Sequence, residues 1–83
     1  MSIAAAITAW IANNPQKVLN QGAFARGIGC SEGRLSQILG GERASQKLAI
    51  RVHQFTNGEV PGSLLRPDIW RRPEDVPVGE AVQ

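Results

Sequence analysis

Residues 31–37 bring hydroxyl, carboxylate, guanidinium and amide groups together in one short stretch of the chain. The Gln37 amide can pair with adenine through two hydrogen bonds, and the Arg34 guanidinium can bind guanine or a phosphate. The carboxylate of Glu32 can accept from cytosine, but an acidic residue also suits the first turn of a helix, and both interpretations stay open. These residue types favour hydrogen bonding to the edges of nucleic-acid bases.

The chain contains few residues of the types that catalyse reactions or bind metal ions. His53 is the one histidine and Cys30 the one cysteine, which argues against a metal site built from His and Cys, a catalytic triad or an internal disulfide. No paired carboxylates and no phosphate-binding loop accompany them. We interpret His53 as a helix-surface residue and Cys30 as a small residue packed in a turn. We therefore expect no enzymatic activity, no cofactor and no bound metal.

Composition and charge are typical of one small soluble domain with a basic first part. The chain has 83 residues, 42% hydrophobic and 19% charged, with a net charge of +2. Residues 1–57 carry six Lys/Arg against two Asp/Glu, and residues 58–83 carry three against five. The apolar run Ile3 to Ala12 is too short for a membrane span and lacks a basic leader, which favours a core helix. We expect a cytoplasmic protein whose anionic partner, if any, contacts the first two thirds of the chain.

Capping residues and apolar spacing predict an all-α fold with no strands. A staple between Leu19 and Phe24 is also predicted, from their positions around the start of the second helix. The predicted helices run from Ser2 to about Asn13, from Gln21 to Ile28 after the cap Asn20, from Glu32 to about Leu39 after the cap Ser31, from Ser45 to Thr56, and around Ser63–Arg66. Gly29, Gly40-Gly41 and Asn57-Gly58 are the expected stops.

The spacing between the second and third predicted helices is that of a helix-turn-helix. The positions that define it are Ala25, Ile28, Gly29, Leu35 and Ile38. A helical hairpin with no role in nucleic-acid binding fits the same spacing, so the outward face of the third helix decides between the two interpretations. That face is small and polar. Gly33 there costs roughly 1 kcal/mol of helix stability relative to alanine, and one reason for such a residue is a backbone that another surface must approach closely.

Several groups around this face could bind phosphates. The candidates are Gln21, Arg34, Arg43, Lys47 and Arg51. Gln21 would begin the second helix and present backbone N–H groups to a phosphate. Lys47 and Arg51 stand four residues apart on the fourth helix, where like charges cost a few tenths of a kcal/mol unless an anionic partner offsets them. The alternative is that both belong to an ordinary solvated face.

From about Gln21 to Trp70 the sequence resembles the small Cro-type regulators of temperate phages and prophages, especially the YdaS-like branch. The matching stretches are residues 24–31 (FARGIGCS), residues 35–43 (LSQILGGER), residues 56–60 (TNGEV) and residues 65–70 (LRPDIW). Relatives often carry a larger side chain where this chain has Gly33. The tail after Arg72 has no counterpart.

The resemblance implies a small five-helix bundle of the lambda-repressor-like type that binds DNA as a repressor, commonly as a homodimer. It implies base contacts from Ser31, Glu32, Gly33, Ser36 and Gln37, with the third helix in the major groove. We expect residues 1–70 to form the DNA-binding domain and 71–83 a flexible tail. The segment Val60–Trp70 is the expected self-contact, unless Ile69 and Trp70 only cover the chain's own core. An alternative function is an antitoxin or antirepressor whose main partner is another protein.

Overall fold

The computed structural model describes residues 2–77, and all regular elements in that range are helical. The predicted all-α fold is therefore confirmed. The helices are α1 (Ile3–Asn13), α2 (Gln21–Gly27), α3 (Glu32–Leu39), α4 (Gln46–Phe55) and α5 (Gly62–Leu65), followed by a 3₁₀ turn at Pro73–Asp75. The chain forms two compact units, one ending at Glu42 and the other beginning at Arg43. The division into a domain 1–70 and a tail 71–83 stays a prediction.

Four of the helices begin at a side-chain cap. Ser2, Asn20, Ser31 and Ser45 are all extended, and the side-chain oxygen of each accepts a hydrogen bond from the backbone N–H three residues ahead, at 2.9–3.1 Å. Each bond satisfies a donor that the helix itself leaves unpaired, and such a cap is worth about 1 kcal/mol. The predicted starts of these four helices are confirmed.

The ends of α2, α3 and α4 share one hydrogen-bonding pattern. After α2 the N–H of Cys30 donates to Ala25 O and the N–H of Gly29 to Arg26 O, which is the Schellman motif. It needs a left-handed residue, and Gly29 supplies it with a φ of 78°. Gly41 and Asn57 hold the corresponding positions after α3 and α4. The predicted stops are confirmed, although α2 ends at Gly27, one residue earlier than expected.

The core of the first unit lies between α1, α2 and α3. Trp10 and Phe24 meet edge to face, with ring centroids 5.6 Å apart, and the Lys17 Nζ lies over the Trp10 ring, 5.9 Å from its centroid. The predicted staple between Leu19 and Phe24 is wrong. Leu19 is 83% exposed, because Lys17 and Val18 both donate to Asn14 O and the resulting turn buries Val18 instead.

The second unit is built from α4, α5 and the 3₁₀ turn. Gly62 begins α5, one residue before the expected start of this helix. A Cβ at Gly62 would lie 3.1 Å from both Ala49 O and a Val76 methyl group, so any larger residue would require these neighbours to move by a few tenths of an ångström. Val76 is buried, which places part of the expected tail against α5. Residues 78–83 of that tail lie outside the described part of the chain.

A buried hydroxyl closes the turn after α4. Thr56 is fully buried, and its Oγ1 donates to Val52 O at 2.8 Å and accepts from the Val60 N–H at 3.0 Å. This bonding fixes the path from α4 to the following segment. No helix among residues 2–77 combines the length and the apolar character that crossing a membrane requires.

Candidate nucleic-acid interface

A helix, a short turn and a second helix hold the candidate site in the first unit. Helices α2 and α3 contact each other, and the apolar residues expected at their crossing are 0–2% exposed, namely Phe24, Ala25, Ile28, Leu35 and Ile38. The small Ala25 lets the two helices approach at the turn. Hydrogen bonds cap the end of α2 and the start of α3 on either side of the turn, and α3 has one buried and one open face.

The open face of α3 is small and polar. Gly33, Ser36, Gln37 and Gly40 are exposed and recur at the spacing of one helix face. The opposite side carries the buried Leu35 and Ile38. This arrangement leaves the predicted base-contacting face available to a partner.

Two predicted base-contacting residues at the start of α3 also have local roles. The Ser31 hydroxyl caps the helix by accepting from the Arg34 N–H at 3.0 Å, so its own O–H remains to donate to a partner. The Glu32 carboxylate leans back toward α2, where its Oε1 lies 3.2 Å from the position of a Cβ on Gly22. Gln21, the expected phosphate contact, is exposed at the start of α2 beside it.

Gly33 has no partner within the fold that would require a glycine. A Cβ built on it meets nothing within 4 Å, and the residue is exposed in regular α-helix. Alanine there would improve helix propensity by about 1 kcal/mol. The described part of the chain, residues 2–77, therefore gives no steric reason for a glycine at this position.

Arg34 and Gln37 form a pair along α3. The Arg34 Nη1 donates to Gln37 Oε1 at 3.5 Å, with Arg34 half-buried and Gln37 exposed. The pair joins a predicted phosphate contact to a predicted base contact. Sequence analysis had not linked the two residues, although a spacing of three positions on a helix is what brings side chains together.

The remaining predicted phosphate contacts, Arg43, Lys47 and Arg51, belong to the second unit. Lys47 and Arg51 are exposed on α4 and make no ion pair among residues 2–77. Helix α4 contains no acidic residue, so neither cation has a carboxylate on its own helix to neutralise it. Arg43 differs, because its Nη1 lies 3.9 Å from Asp68 Oδ2.

Arg66 and Asp68 hold the segment that precedes α4. The Arg66 guanidinium donates twice to Asp68, at 2.8 and 3.0 Å, and once to Ala44 O at 3.1 Å. Its hydrogen bonds, followed by smaller contributions that include the charges of Arg66 and Arg43, lower the pKa of Asp68 to about 2. The carboxylate therefore stays ionised at neutral pH beside Arg43, where it would compete with a phosphate for that guanidinium.

His53 is not simply the helix-surface residue that the sequence predicts, because it also forms a hydrogen bond to the next helix. It is half-buried, and its Nδ1 accepts from the Gly62 N–H at 3.1 Å, which caps the start of α5 because Pro61 offers no side-chain cap. Burial lowers the pKa of His53 below its usual value. The neutral ring with its proton on Nε2 is the form that this bond requires.

Nothing in the described part of the chain gathers three or more His, Cys, Asp or Glu side chains around a position for a metal ion. Cys30 is half-exposed in the turn between α2 and α3, and as the one cysteine of the sequence it has no second cysteine to pair with. No family model, curated protein or solved structure matches this chain. What the protein does must therefore be inferred from its own residues and their geometry.

Proposed function

We propose that the protein is a sequence-specific DNA-binding transcriptional regulator, a Cro-like repressor of phage or prophage operators that places α3 in the major groove. The observation that carries the proposal is the helix-turn-helix formed by α2 and α3, with its apolar side buried and its outward side small and polar. A helix of this kind fits the major groove, which is about 12 Å wide. Such a regulator would act in the cytoplasm of a bacterium or a phage-infected cell.

Base reading is assigned to the open face of α3. Ser36 and Gln37 offer hydroxyl and amide groups at the centre of the face, and Gly33 leaves room for the helix backbone to approach the base edges. Ser31 has a hydroxyl proton to donate, while Glu32 can accept from cytosine if its carboxylate turns away from Gly22. Of these residues, Gln37 has the longest uncharged side chain that both donates and accepts, so we expect it to contribute most to discrimination between bases.

A second set of residues is assigned to the DNA phosphates, which are the same at every base pair and carry no sequence information. Arg34 and Gln21 would serve from the first unit, and Arg43, Lys47 and Arg51 from the second. Two exposed cations on a helix without acidic residues support this assignment for α4. Contacts of this type supply affinity that falls steeply with salt.

A homodimer completes the proposal. Helix α3 has eight residues, about 12 Å of helix, and can read only a few base pairs. Two copies related by a two-fold axis would read a pseudo-palindromic operator with half-sites about 10 base pairs apart. The operator is therefore expected to mirror the symmetry of the protein.

Selection of bound duplexes from a random-sequence pool tests this function. We expect the full chain to enrich a pseudo-palindromic sequence, and Gln37→Ala to lose about 1–3 kcal/mol of discrimination at one position of each half-site while its non-specific affinity stays unchanged. Gln16→Ala, which removes an exposed glutamine from the loop between α1 and α2, is the matched control and should behave as the wild type.

Salt dependence separates this function from the antitoxin or antirepressor alternative. DNA binding should weaken with salt, the log–log slope changing by about −0.9 for each phosphate neutralised. If the pool yields no enriched sequence and the affinity for duplex DNA is flat with salt, the proposal is wrong. A protein partner bound through apolar contacts would then be the better explanation.

A further inference from the structure

The contact between Arg34 and Gln37 constrains how the glutamine amide faces its surroundings. Arg34 Nη1 lies 3.5 Å from Gln37 Oε1, and the backbone of Arg34 is itself fixed by the Ser31 cap. The bond is long and exposed to water in the free protein, so it adds little to the free energy of folding. At a base edge that excludes water the same bond would be electrostatically stronger, and there it would set the orientation of the amide.

The direction of that amide follows from the chemistry of arginine. A guanidinium carries five N–H donors and no acceptor, so the glutamine must turn its oxygen toward Arg34. The Nε2 amino group then points to the other side. Without Arg34, the amide could exchange its oxygen and nitrogen by rotating about its last torsion, since the two orientations have the same shape.

The oriented pair offers donors to a base edge. An unconstrained glutamine reads adenine by accepting from N6 and donating to N7, whereas guanine presents two acceptors, N7 and O6, in the major groove. The Gln37 Oε1 has two lone pairs, so an adenine N6 amino group could still donate to it, but only next to the N–H donors and the positive charge of Arg34, which disfavour a further donor there. A guanine at the same place would meet the N–H donors of Gln37 and Arg34, and these donors match its two acceptors, N7 and O6.

We propose that Arg34 is a positioning residue that turns Gln37 from an adenine reader into a guanine reader. The inference rests on the proposed function, since it concerns which base the α3 face selects. It assigns a role in specificity to a residue that sequence analysis placed among the phosphate contacts. The base pair concerned is the one at which Gln37→Ala loses discrimination.

The test compares base preference at that position for the full-length wild type, Arg34→Ala and Arg34→Lys at one salt concentration. We expect the wild type to prefer guanine, and Arg34→Ala to shift the preference toward adenine, lowering the guanine-to-adenine affinity ratio about tenfold. Arg34→Lys should keep guanine, because an ammonium group is also a donor only. Far-ultraviolet circular dichroism and thermal unfolding would check that the variants fold as the wild type does.

The outcomes separate this inference from the proposed function. If Arg34→Ala binds guanine-containing and adenine-containing sites with equally reduced affinity, Arg34 supplies charge alone and the inference is wrong while DNA binding stands. A wild-type preference for adenine at this position also overturns it. A wild type that selects no sequence overturns the proposed function, and the role of Arg34 fails with it.

Discussion

Gly33 is the residue at which folding and DNA binding are expected to make opposite demands. A Cβ at this position meets nothing within 4 Å, so Gly33→Ala should raise the free energy of unfolding by about 1 kcal/mol through helix propensity alone. The same methyl group would stand between the α3 backbone and a base edge. We therefore expect a higher melting temperature together with weaker operator binding, measured by thermal unfolding and DNA titration.

A matched stabilising change distinguishes the two effects. Thr8→Ala alters an exposed position of α1 and should also stabilise the chain by a few tenths of a kcal/mol. It should leave operator affinity unchanged. If Gly33→Ala is stabilised and binds the operator as tightly as the wild type, the backbone at Gly33 does not approach the DNA.

Residues with local roles and the periodic apolar residues between α2 and α3 were predicted well from the sequence, but contacts that depend on a loop or on a different helix were not. The Ser31 cap and the Gly29 stop each depend on neighbours within a few positions. Leu19 failed as a staple because hydrogen bonds to Asn14 turn the preceding loop and bury Val18 in its place. The hydrogen bond from Gly62 to His53 joins residues nine positions apart in different helices, and no local sequence pattern predicts it.

The hydrogen bond between His53 on α4 and Gly62 on α5 is expected to make the stability of the chain depend on pH. Burial lowers the pKa of His53 from its usual 6.5, so just below that pH the unfolded chain binds a proton that the folded chain does not. Stability should therefore rise with pH through this range and fall as the pH drops below about 6.5. Protonation of Nδ1 would also remove the acceptor used by Gly62. We expect a lower melting temperature at about pH 5 than at about pH 7.5.

An asparagine variant isolates this contribution from that of the carboxylates. His53→Asn keeps an acceptor near the position of Nδ1 but does not titrate, so its melting temperature should depend less on pH between about 5 and 7.5. Asp68 acts at lower pH, because its stabilising ionisation is lost as the pH falls from its usual 3.8 toward about 2. If the wild type and the variant show the same pH dependence, His53 does not cause it.

Helix α4 is expected to bind phosphates through Lys47 and Arg51. Each substitution by alanine should weaken binding to all duplex sequences alike and reduce the magnitude of the log–log salt slope by about one. The preferred sequence should not change. Arg26→Ala is the control, since Arg26 is exposed at the end of α2 and is not among the predicted contacts. Unchanged salt slopes for Lys47→Ala and Arg51→Ala would assign both cations to a solvated face.

The exposed apolar surface of Val60–Trp70 determines how much this segment could contribute to a contact between two copies of the chain. The segment Val60–Trp70 was expected to form the self-contact because it is dense in apolar residues. Most of that apolar surface is used within the chain, since Val60, Leu65 and Trp70 are 1–7% exposed. Ile69 is 38% exposed and Leu64 is half-buried. Two partly exposed side chains are a small fraction of the ~800 Å² per partner that a stable interface usually buries.

Paired substitutions at Ile69 and Trp70 test this view of the segment. Trp70→Ala removes a buried indole and should cost about 3–5 kcal/mol of stability, measured by denaturant unfolding. Ile69→Ala should change stability by no more than about 0.5 kcal/mol, as a surface substitution does. If Val60–Trp70 serves only the chain's own core, Ile69→Ala should sediment as the wild type does and bind a pseudo-palindromic operator equally well. An Ile69→Ala protein that stays folded but sediments as a monomer, when the wild type is a dimer, would restore Val60–Trp70 as the self-contact.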